Sequence, residues 1–541
     1  MSSKKLVCIV GAGASGLPAI KSCLENGLEP ECFERTDDIG GLWNFREQQT
    51  EDVGCVMRST VINTSKEIMS YSDFPIPPEY PNFMPHRYVL QYFRLYANHF
   101  GLGKYIKFNM DVKFIDKCED FATTGKWKVT ILDRKTGKET LRIFDAVMLC
   151  TGHHAKPYWG KFPGEDKFRG QRLHSHSYRG SLTEFENKKV VIIGIGNSAL
   201  DAAVDISRVS KQVYLSTRRG AWIFNRIHDN GIPIDISALR RVVETIKSHL
   251  PASVIDWLFE REVNRRFDHE MYRLKPSHRP TEQHPSVNDD VANRIICGAV
   301  QIRPNVEEFT ETGVKFDDGS RVDDIDAVIY ATGYAFGFPY LTKSVLDVKE
   351  NKVDLFMNTF PPDLEQSTLA VIGCFQPLGS VMPGSELQCR WATHVFKGEK
   401  KLPSKTEMWN DVNQYHESMS KKYVKSPRHT IQVDWIPFLD GLAEQIGCKP
   451  DIRGMLFSDP KFAMKLYFGP CTPYQYRLQG PHSWPPARRT IETVWDRVLY
   501  PLKTRPIPKS DKPSKSYVKI LLLYIIPLML IIYVLRILFK I

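Results

Sequence analysis

Twice in this chain a short apolar strand runs into a glycine-rich turn and then a helix, and that pattern narrows the choice of folds more than any other feature. Leu6-Val-Cys-Ile-Val10 leads into Gly11-Ala12-Gly13-Ala14-Ser15-Gly16 and a helix reaching Asn26. Lys189-Val-Val-Ile-Ile193 leads into Gly194-Ile-Gly196-Asn197-Ser198-Ala199 and a helix running on through Leu200 and Asp201 to Ser207. In such a turn the first glycine permits the tight bend. The second lets backbone approach a pyrophosphate, and the third position, where alanine is also accepted, lets helix and strand pack closely. The helix N-terminus then faces the phosphates. A glycine turn without a ligand is the plainer alternative, but the strand, the helix and a correctly spaced second strand are all present. The pattern predicts an α/β protein with two Rossmann-like dinucleotide-binding domains.

The second strands end in opposite charges. Cys32-Phe-Glu34 places an acid 23 residues after Gly11, where a carboxylate accepts from a ribose 2′-hydroxyl. Ser216-Thr217-Arg218-Arg219 places a base 24 residues after Gly194. An acid there would repel a 2′-phosphate, whereas an arginine fork pairs with it. The second site is therefore expected to take NADP(H), with Thr217 adding a hydroxyl. Two cradles in one chain point to hydride delivery from nicotinamide to a second cofactor, most simply FAD. Asp38-Ile-Gly-Gly41-Leu42-Trp43 has adjacent glycines that suit backbone lying against another part of that first cofactor.

Charge excludes one class of partner. The net charge is +11, but residues 503–541 hold eight basic side chains against Asp511 alone, so +7 of it lies in the tail and +4 over the preceding 502 residues. A nearly neutral body is not a phosphate-backbone footprint, and no nucleic-acid partner is expected. The eleven cysteines show no Cys-x-x-Cys spacing and several lie in apolar strands. They read as buried reduced thiols rather than disulfides, a redox pair or a zinc site. His153-His154 reads as a loop near the flavin, since adjacent imidazoles are not expected to share one face. Asp289-Asp290 reads as a helix start, and no metal site is expected.

Ile520–Leu535 carries no charge for sixteen residues, roughly 24 Å of helix against a hydrocarbon core of ~30 Å. Extended to Ile541 it includes Arg536 and Lys540, which can snorkel. With the basic linker before it, this segment is expected to be a membrane anchor rather than a buried helix. The expected organisation is a FAD-binding first part over 1–154 and an NADP-binding domain over 155–330, with a helical insertion at about 225–295. The second part of the FAD domain with a C-terminal subdomain follows over 331–502, then a basic linker over 503–519 and the anchor over 520–541.

Between the two turns lies Phe168-Arg-Gly170-Gln-Arg-Leu-His174-Ser-His176-Ser-Tyr178-Arg179. This resembles FxGxxxHxxx(F/Y)(K/R), the identifying sequence of the flavin-containing monooxygenases. The resemblance continues in Asn63-Thr64-Ser-Lys-Glu67, Asp73-Phe-Pro75, Asp120–Gly125, Ala331-Thr-Gly-Tyr334 and Tyr467–Cys471, and covers essentially the whole chain. Cys32–Asp38, Leu215–Trp222, Arg266–Met271 and Asn288-Asp-Asp290 are similar to the isoform 5 branch, which resembles Baeyer–Villiger enzymes. The resemblance implies FAD on Gly11 through Gly16, Glu34, Gly41, Leu42 and Trp43, with Ile62, Asn63 and Thr64 beside the flavin. It implies NADPH on Gly194, Gly196, Asn197 to Asp201, Thr217 and Arg218. Reduced flavin adds oxygen at C4a, Asn63 is the active-site asparagine, and one oxygen atom goes to a small lipophilic substrate. That substrate is a ketone or aldehyde in the Baeyer–Villiger mode, or a nitrogen or sulfur nucleophile. His174 and His176 are taken as packing residues. The resemblance also implies an endoplasmic reticulum membrane location with the body facing the cytosol; a homodimer is compatible with it. The competing readings are an uncoupled NADPH oxidase releasing hydrogen peroxide and a membrane-tethered nucleotide-binding protein without turnover.

Overall fold

Each of the two apolar strands becomes the central strand of a five-stranded, all-parallel sheet. The first sheet has the order Leu369–Val371, Ala146–Leu149, Leu6–Val10, Glu29–Glu34, Ile106–Phe108. The second has the order Val300–Arg303, Gln212–Ser216, Lys189–Ile193, Ala327–Tyr330, Gln171–His174. In both, the chain leaves the central strand toward one side and returns on the other. The order therefore reverses beside the central strand, between Val10 and Leu149 in one sheet and between Ile193 and Tyr330 in the other. Ligand crevices of open parallel sheets form at such points, outside the carboxyl ends of the strands. The structure is a computed structural model and describes residues 4–48, 53–154, 156–180, 182–424, 426 and 429–506.

Both faces of each sheet are covered, which is why the central strands read as unbroken apolar runs rather than alternating ones. Val7 and Ile9 pack with Leu17 and Ile20 of the helix Gly16–Glu25. Cys8 and Val10, on the other face, pack with Trp127 and Phe144 of a three-stranded antiparallel sheet. The second sheet repeats this plan. Val190 and Ile192 meet Leu200 and Ala203 of the helix Asn197–Ile206, while Val191 and Ile193 meet Phe309 and Phe316 of another three-stranded antiparallel sheet.

The chain after residue 331 returns to the first sheet. The helix Val381–Lys397 packs on Gly16–Glu25 and on Trp435–Ile446. Charges are buried at this seam: Arg477, 1% exposed, donates to Ser72 Oγ at 2.8 Å and Glu386 Oε1 at 3.0 Å and pairs with Asp73 at 3.0 Å. Burial alone would raise the Asp73 carboxyl; the charges of Arg477 and Lys21 override it and hold the group below its ordinary range.

Residues 4–498 share one unit, which carries both sheets; Leu499 onward falls in a second, whose described part holds a turn over Tyr500–Leu502. All eleven cysteines are free thiols and nine are buried; Cys55 is half-buried and Cys297 exposed. Among the described residues no helix is long and apolar enough to cross a membrane. The anchor expected over 520–541, and the linker beyond Pro506, lie outside the described residues.

Steric closure of the first turn gives a test. A Cβ at Gly16 would sit 1.9 Å from the Gly11 carbonyl oxygen, a backbone atom that cannot yield locally. Gly16→Ala is expected to destabilise the protein by about 3 kcal/mol and to lower its flavin content, as measured by thermal melting and flavin absorbance.

Candidate active site

The two turns are closed by the same device. Gly11 has φ +98°, and a Cβ there would stand 2.8 Å from the carbonyl oxygen of Cys150, just past the neighbouring strand. Gly194 has φ +125°, and its Cβ would stand 2.4 Å from the carbonyl oxygen of Ala331. Thr-Gly follows each of these carbonyls, as Thr151-Gly152 and Thr332-Gly333. The fold itself therefore demands these glycines. The middle glycines differ: Gly13 would meet only Gly41 Cα at an ordinary 3.6 Å, and Gly196 would meet nothing within 4 Å. Neither has a positive φ.

Packing does not explain the middle glycines; room for a ligand would. The backbone N–H groups of Gly13, Ala14 and Ser15 donate to no group among the described residues, and neither do those of Gly196, Asn197 and Ser198. Each trio lies at the N-terminus of a ten-residue helix, where orphan donors and the helix dipole favour an anion. A cradle of free N–H groups around a glycine whose missing side chain leaves room fits a dinucleotide diphosphate at both places.

The ribose ends keep their opposite charges. Glu34 is buried; its Oε2 accepts from Ala12 N–H at 2.8 Å and its Oε1 from Thr36 N–H at 2.9 Å. The Thr36 hydroxyl also donates to Oε1 at 2.8 Å, so the carboxylate braces the first turn and keeps one acceptor site, on Oε2, for a hydroxyl donor. Gly40 N–H donates to Ala12 O, which brings Gly41, Leu42 and Trp43 against the same turn. Thr217 is buried and its hydroxyl oxygen accepts from Gly220 N–H at 3.0 Å, so it shapes its own loop. Arg218 is exposed and carries no ion pair among the described residues. The side chains of Ala12, Ala199 and Leu200 point into the core, leaving those positions only backbone to offer.

Asn63 lies on a loop that joins the two halves. Arg226 donates from Nη2 to Asn63 Oδ1 at 2.8 Å and to Val61 O at 3.2 Å, and from Nε to Ile62 O at 3.3 Å. Its Nη1 donates to Asp289 Oδ2 at 2.7 Å. A guanidinium only donates, so Oδ1 of Asn63 faces Arg226 and the amide Nδ2 is left to donate elsewhere. On the first-sheet side, Thr64 Oγ1 donates to Gly379 O, just before the helix whose Ser385 bonds Ser15. On the second-sheet side, Asn288 donates from Nδ2 to Asp201 Oδ1 at 3.0 Å. Burial, partly opposed by Arg226, pushes the Asp201 carboxyl up to about 6.

Several sequence expectations change here. Asp289-Asp290 stands at a helix start as expected, with Asp290 at the N-cap position of Val291–Ile296, but the side chain that accepts there is Asn288, whose Oδ1 takes the N–H groups of Asp290 and Val291, and Asp289 is the counter-ion of Arg226. The rings of His153 and His154 do lie together, 4.1 Å between centroids, because the loop bends there. Among the described residues no third ligand joins them. His174 packs on Trp159 and Tyr334, and its Nδ1 accepts from His176 N–H. In Phe168–Arg179, Gly170 is needed because the Phe168 ring lies where its Cβ would be. Arg179 donates to His176 O and its carbonyl accepts from Arg58 N–H, so this segment ties the second sheet's edge to the loop leading to Asn63.

Sequence reasoning missed Arg226, Asn288 and Asp235. Asp235 is buried and its Oδ2 accepts from Ser65 N–H at 2.6 Å. It has no cationic partner among the described residues, and burial pushes its carboxyl up to about 6.

A model of flavin-binding monooxygenase-like proteins matches residues 4–538. The chain is 53% identical over 509 residues to flavin-containing monooxygenase 5 of Oryctolagus cuniculus, covering 94% of this chain and 95% of the relative. To the human protein of that name it is 51% identical over 516 residues, covering 95% of this chain and 96% of the relative. To dimethylaniline monooxygenase [N-oxide-forming] 2 of Rattus norvegicus it is 45% identical over 515 residues, covering 95% and 96%. Among solved structures, S-allyl-L-cysteine S-oxygenase from Allium sativum shares the fold with a TM-score of 0.63 at 24% identity, over 91% of this chain and 99% of that one. An open cyclohexanone monooxygenase does so with 0.58 at 13% identity, over 82% and 98%.

Two outcomes test this geometry. Gly196→Ala is expected to leave the melting temperature unchanged, since its methyl meets nothing, yet to raise the KM for NADPH at least about tenfold by filling the cradle. Asp235, raised from 3.8 to about 6, holds its proton more tightly folded than unfolded, so stability falls as pH rises through that window and stays reduced above it. Asp235→Asn is therefore expected to match the parent below pH 4 and to be more stable at pH 8 by up to about 3 kcal/mol, read from melting curves at the two pH values.

Proposed function

Because the chain belongs to the flavin-binding monooxygenase-like family, an FAD- and NADPH-dependent one, we propose that it oxygenates small lipophilic molecules at the expense of NADPH and O2. The balance is substrate, O2, NADPH and a proton to oxygenated substrate, NADP⁺ and water. FAD would supply hydride acceptance and oxygen activation, so the protein needs neither a metal nor a nucleophile of its own.

The observation that carries this reading is the pair of matched cradles with opposite ends: buried Glu34 at one, and at the other Arg218, exposed and without an ion pair among the described residues. Gly13, Ala14 and Ser15 would hold the FAD diphosphate and Glu34 the adenosine ribose. Gly196, Asn197 and Ser198 would hold the NADPH diphosphate and Arg218 its 2′-phosphate. Asn63, held by Arg226, keeps an amide N–H available at the loop that links the halves. A donor fixed before reaction costs little reorganisation when negative charge develops near it. The Arg226 charge is itself paired with Asp289 at 2.7 Å, which keeps the guanidinium in place.

Two substrate classes fit, and each has support. Relatives at 51–53% identity share one name, flavin-containing monooxygenase 5, and a relative at 45% is named for N-oxide formation. The S-oxygenase and the cyclohexanone monooxygenase share the fold. We assign ketones and aldehydes, oxidised in the Baeyer–Villiger mode, ahead of nitrogen and sulfur nucleophiles. The apolar run Ile520–Leu535 behind a basic linker supports an anchor in the endoplasmic reticulum membrane, with the catalytic body on the cytosolic side.

Turnover of one ketone and one sulfide under ¹⁸O₂ tests the reading: a single labelled atom is expected in the product, and unlabelled product would refute it. Arg218→Ala is expected to raise the KM for NADPH at least about tenfold and to leave that for NADH unchanged; an equal rise for both removes the 2′-phosphate role.

A further inference from the structure

The loop carrying Asn63 is gripped at two points by one short segment. Arg226 takes Val61 O, Ile62 O and Asn63 Oδ1. Nine residues later Asp235 takes Ser65 N–H at 2.6 Å, while its Oδ1 accepts from Ile236 N–H at 2.9 Å. The segment between them folds back on itself. Ile234 N–H donates to Arg226 O at 2.8 Å and His228 N–H to Ile232 O at 2.7 Å, around a left-handed Asn230. Arg226 and Asp235 are thereby set side by side and aimed at the same five residues. Other bonds hold the flanks of this stretch: Ile62 N–H reaches Met84 O, Lys66 N–H reaches Asn82 O, Ser65 O accepts from the N–H groups of Ile68 and Met69, and Thr64 bonds Gly379 O at 3.3 Å; Arg226 is the group that takes the Asn63 side chain itself. A backbone N–H buried beside a carboxylate loses its partner if that carboxylate goes, and such a loss costs the full desolvation of the donor.

We propose that Asp235 is a positioning residue for Asn63, acting through the Ser65 N–H to complete with Arg226 a two-point clamp that holds the Asn63 amide in its working orientation. The inference rests on the proposed role of Asn63 in oxygenation. Asp235 touches neither reacting atoms nor cofactor. Arg226 fixes the side-chain oxygen of Asn63, and Asp235 fixes the backbone two residues on, so rotation of the loop about either point alone is blocked. The uncompensated buried carboxylate opposes stability, and its return is orientation of a neighbouring loop. An amide at 235 retains an acceptor in the same place, so Asp235→Asn serves as the conservative rescue.

The test uses the full-length, flavin-loaded protein with Asp235→Ala, Asp235→Asn and each change combined with Asn63→Ala. Hydrogen exchange of the peptide spanning 61–66 is read first. About a tenfold faster exchange at Ser65 is expected in Asp235→Ala and near-parental exchange in Asp235→Asn, with equal flavin content. The second readout is hydrogen peroxide released per NADPH consumed. It is expected to rise in Asp235→Ala at an unchanged rate of flavin reduction, to recover in Asp235→Asn, and to be indifferent to residue 235 once Asn63 is alanine. Unchanged exchange in Asp235→Ala, or an effect of residue 235 on peroxide release that persists without Asn63, overturns the proposal. If Asp235→Ala does not fold, a peroxide yield in Asp235→Asn far above the parent's with parental Ser65 exchange overturns it equally, because the retained acceptor must preserve Asn63. Exchange is measurable whether or not the parent oxygenates anything, so failure of the oxygenase reading shows separately, as unlabelled product from the parent.

Discussion

A glycine pressed against a carbonyl from the neighbouring strand is the constraint on which this molecule is built. At Gly11 the carbonyl is that of Cys150, and at Gly194 it is that of Ala331. The contact leaves no room for a β-carbon and turns the chain sharply at the end of the central strand; two residues further on begin three N–H groups that donate to nothing among the described residues. Because the same contact is made at the point where strand order reverses, each cradle opens into a crevice of its own sheet. The duplication extends outward: each sheet carries a helix layer on one face and a three-stranded antiparallel sheet on the other. Two equivalent frames thus end in side chains of opposite charge, Glu34 at one and Arg218 at the other, the difference on which the proposed assignment of FAD and NADPH rests.

At the Asn63 loop the frames are joined by long-range polar groups as well as by apolar contact among Ile62, Ile236 and Leu239. Arg226 reaches 163 residues back in sequence to the Asn63 side chain, and Asp235 reaches 170 residues back to Ser65. Beneath the first frame, Lys21, Asp73, Glu386 and Arg477 form a buried charged seam. Breaking such a group one member at a time strands a charge in a low dielectric. The C-terminal half is therefore committed to the first sheet, which fixes Gly379 and the helix Val381–Lys397 beside the turn and the Asn63 loop.

Much of this was legible in the sequence because it is local. Apolar runs, glycine spacing and the sign of the residue ending each second strand all lie within about 30 positions of one another, and they yielded the strands, the helices and the cofactor pair. Arg226, Asn288 and Asp235 were not legible, since nothing about an arginine or an aspartate in a charged insertion says which distant backbone it will meet. The pair Asp289-Asp290 does mark a helix start, with Asp290 at the N-cap position of Val291–Ile296, but the accepting side chain there is Asn288 and the Asp289 carboxylate is taken by Arg226, which the local sequence did not show. Adjacent His153 and His154 were read as a loop whose imidazoles share no face; the rings instead lie 4.1 Å apart between centroids. The middle glycines are the instructive case in between. Sequence marks them as glycine, and only the structure shows that packing does not need Gly196 to be one.

The central claim is that NADPH held by the second cradle reduces FAD held by the first. Mixing the flavin-loaded protein with one equivalent of NADPH in the absence of oxygen tests it directly. The account expects the absorbance of oxidised flavin to be lost in a single fast phase, slowed when the transferred hydrogen of NADPH is deuterium. Flavin that stays oxidised with NADPH bound would contradict it.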